Sequence, residues 1–354
     1  MTDAPGADAT TAGSAGTGSR GTAAGLRLVP GRPGLSARVT AQLTDLGYAA
    51  GWGAVRALPE PVARGAFDAA GRWTAAREGR GVRQLRANLR VATGGRLDED
   101  ALDELTTRGV RSYARYWQEA FRLPRLSRER IVADTVSSGV EHMERARADG
   151  RGVVFALPHS GNWDAAGVWL VDFLGGPFMT VAERLRPESL YRRFVEFRET
   201  LGMRVVPLTG GPRPSSAVLR EWLDDGGWVC LLVDRDLGAG GVPVEFFGRR
   251  ATMPGGPALL AAQTGAALHP AICRFTDRGW AFEVRPEVPV DGPGRLRDRV
   301  PAAMQGVADA FTAGIAERPE DWHVPGRIWD DVPPDPPAGR APASSPSRTG
   351  VESA

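Results

Sequence analysis

The chain contains no lysine, so arginine supplies every basic side chain. Recognition of phosphate or carboxylate therefore falls to guanidinium groups, whose planar fork grips such anions with paired hydrogen bonds. Cysteine is almost absent too. Cys230 and Cys273 are the only two in 354 residues, each inside an apolar run, where a buried free thiol is expected rather than a disulfide framework. The four histidines, His142, His159, His269 and His323, form no HExxH or paired spacing, and no CxxC occurs. Neither zinc nor any other metal site is expected. No basic stretch with an apolar core opens the sequence and no run of about 18 apolar residues follows, so a signal peptide and a membrane span are not expected. The net charge is only +2, too small for a whole-protein nucleic-acid footprint, and no nucleic-acid partner is expected.

What is present suits a large folded domain: 42% apolar residues, 24% charged and ten tryptophans. Residues 1–35, rich in Gly, Ala, Ser and Thr, and residues 332–354, rich in Pro, Ser and Ala, read as disordered tails. Residues 36–331 read as one domain. Its first part, 36–150, has apolar residues at helical spacing, with helices expected over 98–109 and 113–121. Trp52, Trp73 and Trp117 stand among arginines there, a mixture that suits either solvated helices or a face resting on anionic lipid.

From residue 151 to 331 strands and helices alternate. Strands are expected over 153–157, 178–182, 204–207, 228–233, 268–275 and 281–288, the last two as a hairpin around Asp277-Arg278-Gly279. Helices are expected over 162–173, 187–201, 215–224, 254–265 and 299–317. The fold class is α/β, with a largely parallel central sheet flanked by helices and a helical N-terminal part.

Chemistry is expected where three of these strands end in polar residues, at His159, Glu183 and Asp234. If the strands run parallel, the three tips share one edge of the sheet, where open α/β sheets place their ligands. An imidazole there is a natural general base for an alcohol. It needs a carboxylate on its second nitrogen, and Asp164 and Asp234 are both candidates. Continuous helix would turn Asp164 about 140° from His159, so Ser160-Gly161 must bend the chain if that pair is to meet. Arg184, Arg192, Arg193 and Arg198 form a basic helical region, and Arg235 sits at a strand tip; each is a candidate phosphate ligand. The glycine-rich loop 237–242 lacks the GxxxxGK phosphate pattern, and no GxSxG occurs.

HSGNWD, His159 to Asp164, resembles the H-x4-D motif of the lysophospholipid and lipid A acyltransferase-like family. AERLRPESLYRRF, FRETLGMRVVPL, LVDRDLGAGGVPVEFFG, ATMPGGPALLAAQTGA, SYARYWQEAFRLP and RPEDWH resemble it in the same order, over residues 40–330. Within that family the likeness is to the actinobacterial branch acting on phosphatidylinositol mannosides. The resemblance implies a glycerolipid acyltransferase-like fold and transfer of a fatty acyl chain from acyl-CoA to a mannose hydroxyl of mannosylated phosphatidylinositol. It implies a peripheral enzyme at the cytoplasmic face of the plasma membrane, working without a metal or other cofactor. His159 would be the base and Asp164 a supporting partner. Either Asp234 or Glu183 would be the second carboxylate, Asp234 being one methylene shorter than the glutamate of relatives. Arg198 would match an arginine near the active site. Oxyanion donors are expected at the start of the helix near Asn162, and an acyl groove near Phe246, Phe247 and residues 257–262. Another glycolipid or lysophospholipid acceptor, hydrolysis, and lipid binding without catalysis remain as alternative readings.

Overall fold

In the computed structural model the described residues are 51–184, 188–236, 238 and 240–337. The expected tail 1–35 and residues 338–354 lie outside them. Within the expected C-terminal tail, Val332 is buried and Asp335 joins Arg86 and Arg90 in ion pairs, so order extends past the boundary expected at 331.

Nine strands are described: β1 (Thr135–Ser138), β2 (Val153–Leu157), β3 (Met179–Ala182), β4 (Arg204–Pro207), β5 (Trp228–Leu232), β6 (Val242–Phe246), β7 (Arg249–Met253), β8 (Ala267–Phe275) and β9 (Trp280–Val284). Seven form one sheet in the order β1-β9-β8-β2-β5-β3-β4. The run β8-β2-β5-β3-β4 is parallel throughout. β9 turns back antiparallel to β8, and β1 runs beside it. The helices Trp163–Leu174, Glu188–Thr200 and Ser215–Asp224 connect β2 to β3, β3 to β4 and β4 to β5.

Every residue of β2 is buried. Alternate residues serve two separate cores: Val153, Phe155 and Leu157 point into one, Val154 and Ala156 into the other. This two-sided burial is why the strand reads as an unbroken apolar run. The second core holds Phe246, Phe311, Trp322 and Trp329.

Three expectations need correction. The two helices expected over 98–109 and 113–121 are one 24-residue helix, Glu99–Arg122, capped by the Asp98 side chain on the Ala101 N–H at 2.8 Å. Gly109 does not stop it. The glycine packs there against Leu85 and Leu89 of the Arg80–Ala92 helix, where a Cβ would meet them at ordinary contact distance. Strand β1 was not expected, because TVSS is a short edge strand with alternate residues exposed. The β6–β7 hairpin was not expected either. Its two-residue turn holds Phe247 and Gly248 at φ 51° and 71°, the primed turn that suits strand twist, and Pro243 is tolerated because the ribbon is only two strands wide.

Of the three tryptophans that stand among arginines, Trp52 and Trp117 pack inward against Phe121 and Phe194. Trp73 is open, at 59% exposure, with the Arg77 guanidinium 3.8 Å above its ring.

Candidate active site

Strands β2 and β5 are parallel neighbours with Leu157 level with Leu232. Two residues further on, both chains leave the same edge of the sheet at His159 and Asp234. The register does what a longer side chain would otherwise have to do. Asp234 accepts the His159 ring Nδ1–H at 2.5 Å, the His159 backbone N–H at 3.0 Å and the Trp322 indole N–H at 2.8 Å. A carboxylate only accepts, so the ring proton sits on Nδ1 and Nε2 is left as a proton acceptor. Burial by itself would raise the Asp234 carboxyl; the His159 ring, the Trp322 indole and the His159 backbone N–H outweigh it and hold the group below its ordinary value. Asp234 is thus an ionised, fully enclosed partner, while the His159 side chain keeps 20% exposure.

The bend after His159 is real and depends on Gly161. Its φ is 55°, and a Cβ would fall 2.5 Å from the Cys273 carbonyl carbon. Backbone bonds tie this turn to the segment 321–323: Gly161 N–H donates to the Asp321 carbonyl at 2.9 Å, and His323 N–H donates to the His159 carbonyl at 2.7 Å.

The bend does not bring Asp164 to His159. Asp164 lies in the first turn of the Trp163–Leu174 helix, buried, and accepts Arg198 Nε at 2.9 Å and the Tyr116 hydroxyl at 3.0 Å. Burial opposes the Arg198 charge, but the facing carboxylate outweighs it and its pKa is raised. Burial and the Asp164 charge push the Tyr116 phenol well above its ordinary value. Arg198 therefore turns inward to a carboxylate rather than standing free for phosphate. Asn162 caps the helix by accepting the Ala165 N–H at 3.0 Å while its amide donates to Glu119 at 2.9 Å. The expected oxyanion donors at this helix start are thus partly spent on the cap.

Glu183 and Arg184 are exposed at the end of β3, on the far side of β5 from β2. Arg184 is held by Glu188 at 2.8 and 2.9 Å and by the Gly210 carbonyl at 2.9 Å. Glu183 does not share the His159–Asp234 contact. Arg235, next to Asp234, is half-buried with its Nε enclosed and unpartnered.

A cavity runs beneath the Trp163–Leu174 helix from this edge of the sheet. It encloses about 680 Å³ with its open mouth counted. Leu157, Trp163, Asp164 and Arg198 line it together with Phe155, Leu170, Phe178, Leu232, Phe282 and both cysteines. The cysteines are free; burial pushes the Cys273 thiol up to about 12, so neither is a poised nucleophile. The groove expected at Phe246 and Phe247 is not there. Phe246 is fully buried against Trp322 and Trp329, and Pro257, Ala258 and Ala261 are core residues.

Sequence reasoning assigned no role to Trp322, His323, Ser112 or Tyr116, although SYARYW and RPEDWH contain all four. His323 is buried, with Nε2 2.9 Å from the Ser112 hydroxyl, which also donates to Asp321 at 2.8 Å. Burial, with the His159 ring adding to it, lowers the His323 pKa to about 3. The unfolded chain takes up a proton below pH ~6.5 that the folded chain refuses. Stability from this group is therefore complete above pH 6.5 and is lost progressively as pH falls toward 3, by about 2 kcal/mol at pH 5. Urea unfolding of wild type and His323→Gln between pH 7.5 and 5 should show that the variant is less stable at pH 7.5 but loses less on acidification. Equal losses in both would refute the assignment.

Residues 35–329 match the family described as bacterial lipid A biosynthesis acyltransferase. The chain is 52% identical over 283 residues to a phosphatidylinositol mannoside acyltransferase of Mycolicibacterium smegmatis, covering 80% of this chain and 90% of that one. It is 49% identical over 289 residues to proteins of the same name from two strains of Mycobacterium tuberculosis, covering 81% of this chain and 88% of each.

Proposed function

We propose, since the chain belongs to the bacterial lipid A biosynthesis acyltransferase family, that it moves a fatty acyl chain from acyl-CoA to a mannose hydroxyl of a phosphatidylinositol mannoside. The acceptor follows the names of the relatives at about half identity; the donor follows the family resemblance. The observation that carries the chemistry is the His159–Asp234 contact beside Trp163, a residue that lines the apolar cavity.

In this reading the cavity takes the acyl tail. His159 Nε2 accepts the proton of the mannose hydroxyl as its oxygen attacks the thioester carbonyl carbon. A C–O bond forms and the carbonyl π pair moves onto oxygen. Ionised Asp234 stabilises the imidazolium that results. On collapse the C–S bond breaks, and the imidazolium proton goes to the departing thiolate. No acyl-enzyme is required.

We place the reaction at the cytoplasmic membrane surface. No described helix is long and apolar enough to cross a membrane. Leu58, Val62 and Trp73 are exposed apolar side chains on or beside the Glu60–Ala76 helix. Val62 and Trp73, eleven residues apart within that helix, share one face, and Arg77 beside Trp73 suits anionic headgroups.

The test is incubation with labelled palmitoyl-CoA and phosphatidylinositol mannosides in anionic vesicles, followed by mass spectrometry. Palmitate esterified to mannose is the expected product. Release of free palmitate alone would make the protein a hydrolase. Acylation of a lysophospholipid or lipid A precursor in place of the mannoside would change the acceptor. No turnover with any of them would leave a lipid-binding protein.

A further inference from the structure

The Trp163 indole N–H is enclosed by protein and has no hydrogen-bond partner. A buried N–H left unpaired costs free energy, on the order of 1–3 kcal/mol, and native proteins rarely tolerate it without a use. Three observations say what the use is. Trp163 lines the apolar cavity. Its ring meets the His159 ring edge-on, with centroids 5.7 Å apart and planes at 79°. One of the backbone donors at the start of this helix, the Ala165 N–H, is taken by Asn162.

From this we infer that Trp163 is a catalytic residue whose Nε1–H receives the thioester carbonyl oxygen and stabilises the oxyanion. The inference rests on the acyl-donor reading above. A tail seated in the cavity would bring its carbonyl to Trp163, the lining residue whose ring meets the His159 ring. As the acceptor oxygen bonds to the carbonyl carbon, the π pair moves to the carbonyl oxygen, and the indole N–H shares its proton with that developing charge. When the C–S bond breaks, the pair returns to re-form the carbonyl and the N–H is released. A donor that is unspent in the ground state and engaged in the transition state accelerates the chemical step.

The ring is held for this task. Tyr116 stacks on Trp163 with centroids 4.2 Å apart and planes at 27°, and the Tyr116 hydroxyl is fixed by Asp164, itself tied to Arg198. The aspartate of the H-x4-D motif thus acts on the reaction through Tyr116 and Trp163, as a positioning residue.

Trp163→Phe keeps an aromatic ring for Tyr116 and His159 but has no N–H. It should lower kcat for acyl transfer about 100-fold with KM for the donor nearly unchanged. Two unreactive analogues read the hydrogen bond itself: a methylene ketone of palmitoyl-CoA, which keeps the carbonyl, and the S-hexadecyl thioether, which lacks it. Wild type should bind the ketone about tenfold tighter, one hydrogen bond's worth. Trp163→Phe should bind both alike, at the thioether's affinity. If Trp163→Phe melts early, Trp163→Tyr, whose donor lies elsewhere on the ring, is read in the same way. A variant that keeps the ketone preference, or a wild type with none, overturns the inference and leaves the donor reading intact. Failure of wild type to bind either analogue overturns both.

Discussion

His159→Gln should reduce kcat for acyl transfer by about 10³-fold or more, with the fold intact. The glutamine amide can still donate to Asp234, so the enclosed carboxylate keeps a partner and the melting temperature should move little. What disappears is the acceptor nitrogen, and loss of a positioned general base costs about 10²–10⁴ in rate. Asp234→Asn is the sharper companion. Asp234 accepts three donors, from the His159 ring, the His159 backbone and Trp322. An asparagine can accept through one atom only, and its amide can donate to the ring. That favours the tautomer with the proton on Nε2, which turns a proton acceptor toward the substrate into a donor. A loss of about 10²–10⁴ in kcat is expected. Near-wild-type turnover in either variant, measured on the labelled lipid product, would remove the pair from the mechanism.

Much of this arrangement was legible in the residues. Parallel strands buried on both faces write themselves as apolar runs, so β2 and β5 stood out, and the polar residues that end them marked the edge where His159 and Asp234 meet. The unread parts share a physical feature. Which carboxylate reaches the imidazole is decided by strand neighbours, and strand order is not a local property: β2 and β5 pair across 75 residues of chain. Glu183 ends a strand just as Asp234 does, but β3 lies beyond β5. Asp164 is nearer in sequence than either, yet Gly161 and the helix turn carry it to Arg198, 34 residues on. The cavity was sought near Phe246 because aromatic residues look alike whether they line a groove or fill a core. There, Trp322 and Trp329 fill the space.

The aspartate five residues after the histidine completes the H-x4-D motif, but it meets Arg198 and Tyr116 and not the histidine. Asp164→Ala should therefore damage the fold first. Arg198 would be left charged and largely enclosed without its carboxylate, and breaking one side of such a pair costs up to about 3–5 kcal/mol. The Tyr116 hydroxyl would lose its acceptor as well. Tyr116→Phe removes only a neutral donor, with a cost of about 1 kcal/mol. The two substitutions share one network, so their effects should combine to less than their sum. Replacing the ion pair on both sides, Asp164→Leu with Arg198→Met, removes the uncompensated charge and should recover most of the lost stability. Urea unfolding of wild type and the four variants reads the series. If Asp164→Ala proved as stable as wild type while losing acyl transfer, the aspartate would be serving the reaction directly, and the brace running through Tyr116 to Trp163 would have to be abandoned.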